Sequence, residues 1–244
     1  MTTLLFDLGN TRLKYAVLHD DDGIGDVVAV AHDGDALPAG WDTALPARFD
    51  AAALTTVGSP ALRTHLLDTL TARCGRISIA RTVSRFGELR IAYPQPETLG
   101  ADRFLAMLGA QARGAGPWLV VGIGTAITLD LLDAEGRHRG GRIAPSPALM
   151  REALHARAAQ LPEYGGELVA FADNTLDALR SGCDGAAVAL IRDALDAGTA
   201  LLGMPPRLLL HGGGVDALPG LDGHALRAPA LVLEGLAAWA RMPA

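Results

Sequence analysis

One stretch near the start of the chain, residues 4–17, constrains the fold more than any other. It reads Leu-Leu-Phe-Asp-Leu-Gly-Asn-Thr-Arg-Leu-Lys-Tyr-Ala-Val. An apolar run ends in Asp7, a turn containing Gly9 and Asn10 follows, and apolar and polar residues then alternate. This pattern predicts two antiparallel strands joined by a tight turn.

The turn has the groups that bind phosphate. It offers small residues, backbone N–H groups, the hydroxyl of Thr11 and the ammonium group of Lys14, as other glycine-rich phosphate loops do. Lys14 is the only lysine among 21 basic residues. Asp7, at the strand end, could hold Mg²⁺ directly or through its waters. The alternative is a polar hairpin turn in which Asp7 bonds its own backbone.

The same pattern recurs in the second half of the chain. Residues 118–132 again form an apolar run, a glycine turn and a second apolar run, and Gly122-x-Gly124-Thr125-Ala126 aligns with the first turn. Two copies half a chain apart predict a duplicated α/β fold with a cleft between the halves. We expect one domain over residues 1–115 and another over residues 116–244.

Composition excludes several classes of protein. The net charge of −6 and the pI near 5.6 lack the basic footprint of a nucleic-acid-binding protein. No stretch approaches the roughly 18 unbroken apolar residues of a membrane span. The N-terminus has no signal-peptide pattern. Cys74 and Cys183 form no disulfide or C-x-x-C framework and are expected to be buried. The sequence thus predicts a cytoplasmic protein with no nucleic-acid or membrane partner.

The middle of the chain contains a second group of chemically active residues. A strand over residues 51–57, a helix after Ser59 and a strand over residues 76–80 complete the first sheet, and an acidic turn is expected at residues 20–23. Gly100-Ala101-Asp102-Arg103 then opens a helix. Asp102 could cap that helix, or it could accept a proton from a hydroxyl group while Arg103 holds an anion.

The second half ends in further helices and one more glycine-rich turn. We predict helices over residues 147–161, 175–202 and 229–241, the second of them divided by Gly182 and Gly185. The buried strand 208–211 leads into Gly212-Gly213-Gly214, where the backbone could pass close to a flat ligand such as a nucleobase. His211 is interpreted as a structural histidine at the strand end.

In combination, these motifs resemble the type III pantothenate kinases. They are D-x-G-N-T-x-x-K at residues 7–14, Tyr93 followed by G-A-D-R at 100–103, G-T-A-x-T at 124–128, and N-T at 174–175. The resemblance implies two ribonuclease-H-like domains of the acetate kinase, sugar kinase and actin superfamily. It also implies ATP-dependent phosphorylation of pantothenate by a homodimer that requires Mg²⁺ and commonly a monovalent cation.

The resemblance also implies roles for individual residues. The first phosphate loop would be Asp7, Leu8, Gly9, Asn10, Thr11, Arg12, Leu13 and Lys14, with Asp7 at the metal and Thr125 in the second loop. Pantothenate would be bound by Tyr93, Gly100, Ala101, Asp102 and Arg103, and by Thr175 of the partner subunit. Asp102 would be the general base.

The chain departs from the family pattern at Gly122. The family usually has Asp there, and its absence puts binding of K⁺ or NH₄⁺ in doubt. Gly122 also leaves open a catalytically silent relative that binds nucleotide or pantothenate and regulates a partner, although Asp7, Lys14, Asp102 and Arg103 argue for an active kinase. A sugar or acetate kinase fits the fold but not the G-A-D-R segment.

Overall fold

Two five-stranded sheets of the same topology organise the chain in this computed structural model, which describes residues 1–19, 23–218, 221 and 225–241. The acidic turn expected at residues 20–23 falls largely outside the described residues. The first sheet contains the strands β1 (Thr3–Leu8), β2 (Arg12–Leu18), β3 (Val28–Ala31), β4 (Ala51–Thr56) and β5 (Ile77–Ile79). Their spatial order is β3-β2-β1-β4-β5, in which β1, β2 and β3 are antiparallel neighbours and β4 and β5 are parallel to β1.

The second sheet repeats this arrangement. Its strands are β8 (Trp118–Ile123), β9 (Ala126–Leu132), β10 (His138–Pro145), β11 (Arg207–His211) and β12 (Ala225–Arg227). The order β10-β9-β8-β11-β12 again joins an antiparallel meander to two parallel strands. The predicted fold class, an α/β chain with two ribonuclease-H-like mixed sheets, is confirmed.

Five helices accompany the sheets in the described part of the chain. They are α1 (Pro60–Thr71), α2 (Ala101–Ala112), α3 (Pro147–Arg157), α4 (Thr175–Leu202) and α5 (Leu231–Arg241). A two-stranded hairpin, β6 (Arg85–Phe86) and β7 (Leu89–Arg90), lies in the segment 81–98 that the sequence analysis treated as irregular. None of the described helices is both long enough and apolar enough to cross a membrane.

Alternation along β1 decides which side chains are available to a site. Leu4, Phe6 and Leu8 point into a buried cluster with α1 residues such as Leu66. Successive side chains in a strand face opposite sides, so Asp7 lies on the other face of the sheet. The apolar packing that fixes the strand therefore also fixes the position of the carboxylate.

Two compact units emerge from the packing: residues 1–115 with 230–244, and residues 116–229. The sequence analysis assigned the last helix to the second half, but α5 packs on α2 in the first unit. Gly109 and Gly235 allow the contact, because a Cβ on Gly109 would lie 2.5 Å from the Leu231 oxygen and one on Gly235 would lie 1.8 Å from the Leu105 oxygen. These glycines carried no recognisable long-range signal in the sequence.

Helix α4 also differs from the prediction, because it runs unbroken through Gly182 and Gly185. Each glycine costs about 1 kcal/mol relative to alanine in a helix. Burial of a continuous face, including Cys183, Ala187 and Ile191, outweighs that cost. Helix α3 ends at Arg157, four residues before the predicted end.

Candidate active site

The carboxyl group of Asp7 is half-buried near the end of β1. Its register partner on β2 is Lys14, and its partner on β4 is Thr55. Burial raises the pKa of Asp7 to about 7; the Lys14 charge opposes this rise and the Asp102 charge adds to it. The structure thus brings together Asp7, Lys14 and Asp102, three residues that the sequence analysis selected.

Asp102 lies in the first turn of α2, not at its cap, which is Gly100. Its Oδ1 accepts a hydrogen bond from the N–H of Arg103 over 2.9 Å. Glycine at position 100 leaves this carboxylate in place, because a Cβ there would lie 2.5 Å from the same Oδ1 and the side chain of Asp102 would have to shift. A carboxylate at a helix N-terminus is stabilised by the helix dipole, so this arrangement suits an ionised Asp102.

Arg103 is buried at 6% relative exposure, directly beside Asp102. Its Nη1 donates to the hydroxyl of Tyr93 over 3.4 Å, and its guanidinium carbon lies 5.9 Å from the centre of the Tyr93 ring. The predicted pairing of Tyr93 with the G-A-D-R segment therefore exists in the structure. A buried guanidinium of this kind can bind a carboxylate or phosphate in bidentate fashion.

The first loop is held by a residue that the sequence analysis did not select. The Gly9 N–H donates to the Arg12 carbonyl over 3.0 Å, which closes the turn. The ring Nε2 of His32 lies 3.1 Å from the Gly9 oxygen, and the His32 N–H donates to the Thr11 oxygen over 3.2 Å. The predicted loop residues differ in exposure: Asn10, Thr11 and Arg12 are exposed, whereas Leu8 and Leu13 are buried. The exposed residues are accessible to a ligand, and the buried ones are structural.

Thr55 is a second residue that sequence reasoning missed. Its side chain is on the Asp7 side of the sheet and is 1% exposed, and its Oγ1 has no hydrogen-bond partner among the described residues. A buried hydroxyl without a partner is costly. Its only sign of importance is that it pairs in register with Asp7. Strand register cannot be read from the sequence, because it is set when the sheet assembles.

The second loop has the same construction as the first. It joins β8 to β9, and the Gly124 N–H donates to the Ala126 oxygen over 3.0 Å. Thr125 is exposed at its tip. The turn Gly212–Gly214 lies against it, because the Gly214 N–H donates to the Ile123 oxygen over 3.0 Å. Thr175 is exposed at the first position of α4, which Asn174 caps.

A cavity of about 210 Å³ opens beside this second loop. Two arginines form part of its wall: Arg151 donates to the Gly165 oxygen over 3.2 Å, and Arg180 lies 3.5 Å from the buried carboxylate of Asp184. The cavity is lined by Ile123, Gly124, Ser146, Pro147, Ala148, Arg151, Gly165, Arg180, Asp184, Gly214 and Leu218. The arginines and Asp184 were not selected from the sequence, because only the fold brings them to the glycine turns.

Oxygen ligands for a divalent cation are available at Asp7, with Asp102 nearby. Mg²⁺ is typically held by one or two carboxylates together with substrate phosphates and water. The described residues contain no group of three or more His, Cys, Asp or Glu side chains that could hold a metal. Asp7 and Asp102 are thus the carboxylates at the first loop that could hold a divalent cation.

Together, the repeated sheet topology and the two glycine loops define a duplicated α/β fold of the kind that small-molecule kinases have, with carboxylates at the first loop. A solved structure supports the fold: a candidate 2-dehydro-3-deoxygalactonokinase from Sinorhizobium meliloti has a TM-score of 0.61 at 17% identity, covering 98% of each chain.

Sequence relatives then identify the family. The family model for type III pantothenate kinase matches residues 3–197. The type III pantothenate kinase of Stenotrophomonas maltophilia (strain R551-3) is 51% identical, and that of Xanthomonas oryzae pv. oryzae (strain PXO99A) is 52% identical, each over 98% of both chains. This chain belongs to the type III pantothenate kinase family.

Proposed function

We propose that this chain transfers the γ-phosphoryl group of ATP to pantothenate, giving 4′-phosphopantothenate and ADP, the first step of coenzyme A biosynthesis. The observation that carries the proposal is the meeting of Asp7, Lys14 and Asp102 at the first loop of a chain that belongs to this family. Phosphoryl transfer needs mainly positioning and neutralisation of charge.

Asp102 acts as the general base. It accepts the proton of the pantothenate hydroxyl while that oxygen forms its bond to the γ-phosphorus, and the bond from the γ-phosphorus to the bridging oxygen breaks to release ADP. Asp102 lies in the first turn of α2, where the helix dipole is favourable for a carboxylate. Arg103, supported by Tyr93, binds the pantothenate carboxylate and fixes the hydroxyl relative to Asp102.

The two loops hold the phosphates. Asn10 and Thr11 offer N–H groups, Thr11 also offers its hydroxyl, Lys14 offers its charge, and Thr125 contacts the phosphates at the second loop. Asp7 holds Mg²⁺, which neutralises phosphate charge when bound. Because burial raises the pKa of Asp7 to about 7, a cation is needed to favour its ionised form.

The nucleoside of ATP occupies the cavity beside the second loop. Gly214 presents backbone at one wall, and Arg151 and Arg180 offer planar guanidinium groups for stacking on a base. Asp184 keeps Arg180 in place through their ion pair. Pockets of this kind, mostly apolar with a few fixed polar groups, are typical of nucleoside sites.

The enzyme works as a homodimer in which Thr175 reaches the pantothenate of the partner subunit. Large apolar side chains are exposed near Thr175, notably Tyr164 at 76% and Phe171 at 100% relative exposure. Exposed apolar patches mark interaction surfaces. The segment 164–176 therefore supports a subunit interface beside the substrate site.

The test is a coupled assay of ADP release with pantothenate, and with glucose and acetate as matched acceptors. We expect turnover with pantothenate in the presence of Mg²⁺ and background rates with the other two. Turnover with glucose or acetate instead would contradict the assignment of the acceptor. Nucleotide binding without turnover of any acceptor would favour the catalytically silent relative.

A further inference from the structure

The end of β11 places a histidine over a glycine at the second phosphate loop. Gly122 on β8 pairs in register with His211 on β11 and with Thr128 on β9. Register partners on neighbouring strands present their side chains on the same face of a sheet. Position 122 thus lies between two side chains and has none of its own.

The imidazole ring of His211 occupies the space above Gly122. A Cβ at position 122 would lie 2.8 Å from Nε2 and 2.9 Å from Cε1 of His211, and 2.7 Å from Oγ1 of Thr128. Separations under 3.0 Å do not occur for real Cβ atoms, so any side chain at 122 would displace the ring. The reason for glycine here is space, and its φ is not in the left-handed region.

The backbone that carries His211 is fixed against the second loop. A Cβ on Gly212 would lie 2.3 Å from the Ile123 oxygen, and the Gly214 N–H donates to that oxygen over 3.0 Å. This close packing holds the backbone that follows His211 against the second loop. Preorganised donors of this kind are effective for charged oxygens.

The ring also lies where the sheet face becomes accessible. On the same face, Val120 and Leu209, one step further back along their strands, are fully buried, whereas His211 and Thr128 are half-buried. An imidazole carries at least one N–H donor in every protonation state and a positive charge when protonated. At this end of the sheet it can reach an anion held by the second loop.

We propose that His211 is a phosphate-binding residue for the nucleotide and that Gly122 provides the room for its ring. This replaces the interpretation of His211 as only structural, and it rests on the proposed binding of ATP at the second loop. The ligand class is the phosphate chain of a nucleoside triphosphate.

The test uses three variants and the dissociation constant of Mg²⁺–AMP-PNP, measured by calorimetry without pantothenate. His211→Ala removes the donor and should weaken binding by about tenfold or more, the loss expected for a charge-assisted hydrogen bond. His211→Gln places an amide nitrogen near the Nε2 position and should retain most of the affinity. Gly122→Ala displaces the ring and should weaken binding as His211→Ala does.

The double variant Gly122→Ala/His211→Ala provides the discriminating result. If the alanine at 122 acts by displacing the imidazole, the double variant binds no more weakly than either single variant, within about twofold. The KM for ATP should rise and the KM for pantothenate should stay near the wild-type value. His65→Ala, on the exposed face of α1, serves as the histidine control.

Two results would overturn the proposal. One is unchanged affinity for Mg²⁺–AMP-PNP in His211→Ala. The other is an equal loss in the Ala and Gln variants together with a lower Tm, which would assign His211 a structural role. The nucleotide measurement needs no acceptor, so a wild-type protein that fails to phosphorylate pantothenate would refute the proposed function and leave this test intact.

Discussion

At the scale of single residues, the proposed general base is Asp102. Its carboxylate accepts the Arg103 N–H over 2.9 Å, a bond that an amide oxygen can also accept. We therefore expect Asp102→Asn to fold and bind both substrates, but to lower kcat by about 10²- to 10⁴-fold, the usual contribution of a general base. Steady-state kinetics with a thermal melt would check this, and a near wild-type kcat would show that another group takes the proton.

Asp7 gives a prediction about pH. Burial raises its pKa from 3.8 to about 7, so the folded state favours the neutral carboxyl group. The raised pKa of Asp7 therefore costs the folded state no stability below pH 3.8. As the pH rises from 3.8 through 7, the free energy of unfolding falls. Asp7→Asn should thus raise the Tm relative to wild type by roughly 5 °C at pH 8.5 without Mg²⁺, and by about half as much at pH 5.5, because the cost of Asp7 accumulates between pH 3.8 and 7.

The measurement is a pair of melting curves at the two pH values for wild type and Asp7→Asn. The same variant should lose Mg²⁺-dependent turnover at both pH values, because an amide cannot replace the anionic ligand. A gain in Tm that is equal at pH 5.5 and 8.5 would contradict the raised pKa.

Gly122 gives a prediction about monovalent cations. The site has no carboxylate at this position, and K⁺ depends on the number and charge of its oxygen ligands. We expect an active kinase with little or no K⁺ stimulation. Initial rates at fixed Mg²⁺ and ionic strength, with K⁺ or NH₄⁺ exchanged for a bulky organic cation, would check this. A several-fold drop without K⁺ would show that other oxygens hold the ion.

The sequence alone was sufficient to select the candidate site residues that lie in short local patterns. Asp7, Lys14, Asp102 and Arg103 stand next to glycine turns or a helix start, and the structure brings the first three together. His32, Thr55, Arg151, Arg180 and Asp184 could not be selected, because their importance comes from strand register and tertiary packing. The sequence places them far from the loops that they contact.

At the scale of elements, the contact between α2 and α5 depends on two glycines. A methyl group on Gly235 would lie 1.8 Å from the Leu105 oxygen, so the helices would have to separate. The bidentate pair between Arg113 and Glu234, with both bonds at 2.7 Å, would be strained as well. We expect Gly235→Ala to destabilise the protein by about 2–4 kcal/mol or to prevent folding.

A matched control exists in α4. Gly182 is exposed, and a Cβ there would meet nothing within 4 Å, so Gly182→Ala should be neutral or stabilise by up to about 1 kcal/mol through helix propensity. Urea denaturation of both variants would measure the difference. Similar effects of the two substitutions would show that the close contact at Gly235 is not required.

The elements differ in how far the sequence determined them. Strands β1, β2, β8 and β9 were predictable because alternation and a glycine turn are local signals. The continuity of α4 and the placement of α5 were not, since both follow from buried faces that only the assembled fold creates.

At the scale of the whole molecule, the proposed homodimer gives two composite sites. In this proposed dimer, Asp102 and Thr175 would act on one pantothenate from different subunits, so a variant of either residue should inactivate both sites of its own homodimer. Co-expression of Asp102→Asn with a Thr175 variant defective in substrate binding should restore activity, because one site in each mixed dimer is intact. About half of the sites in that dimer would be wild type.

Size-exclusion chromatography, which measures the oligomeric state, provides the control. Phe171→Ser, at a fully exposed aromatic position, should weaken the dimer and lower activity in proportion to the monomer formed. A wild-type monomer with full activity, or mixed dimers without recovered activity, would contradict the shared site.

The packing of α5 in the first unit also affects the order in which the units can fold during synthesis. Residues 1–115 leave the ribosome first, but the helix that covers α2 comes from the last segment, after residues 116–229. At 5–20 residues per second, the first unit waits roughly 6 to 23 s for that helix. During this interval the groove on α2 around Gly109 is uncovered, whereas the second unit emerges as an uninterrupted segment. The first unit therefore cannot be completed before residues 231–241 have been made, and a chain truncated before Ala230 would lack the helix that covers α2.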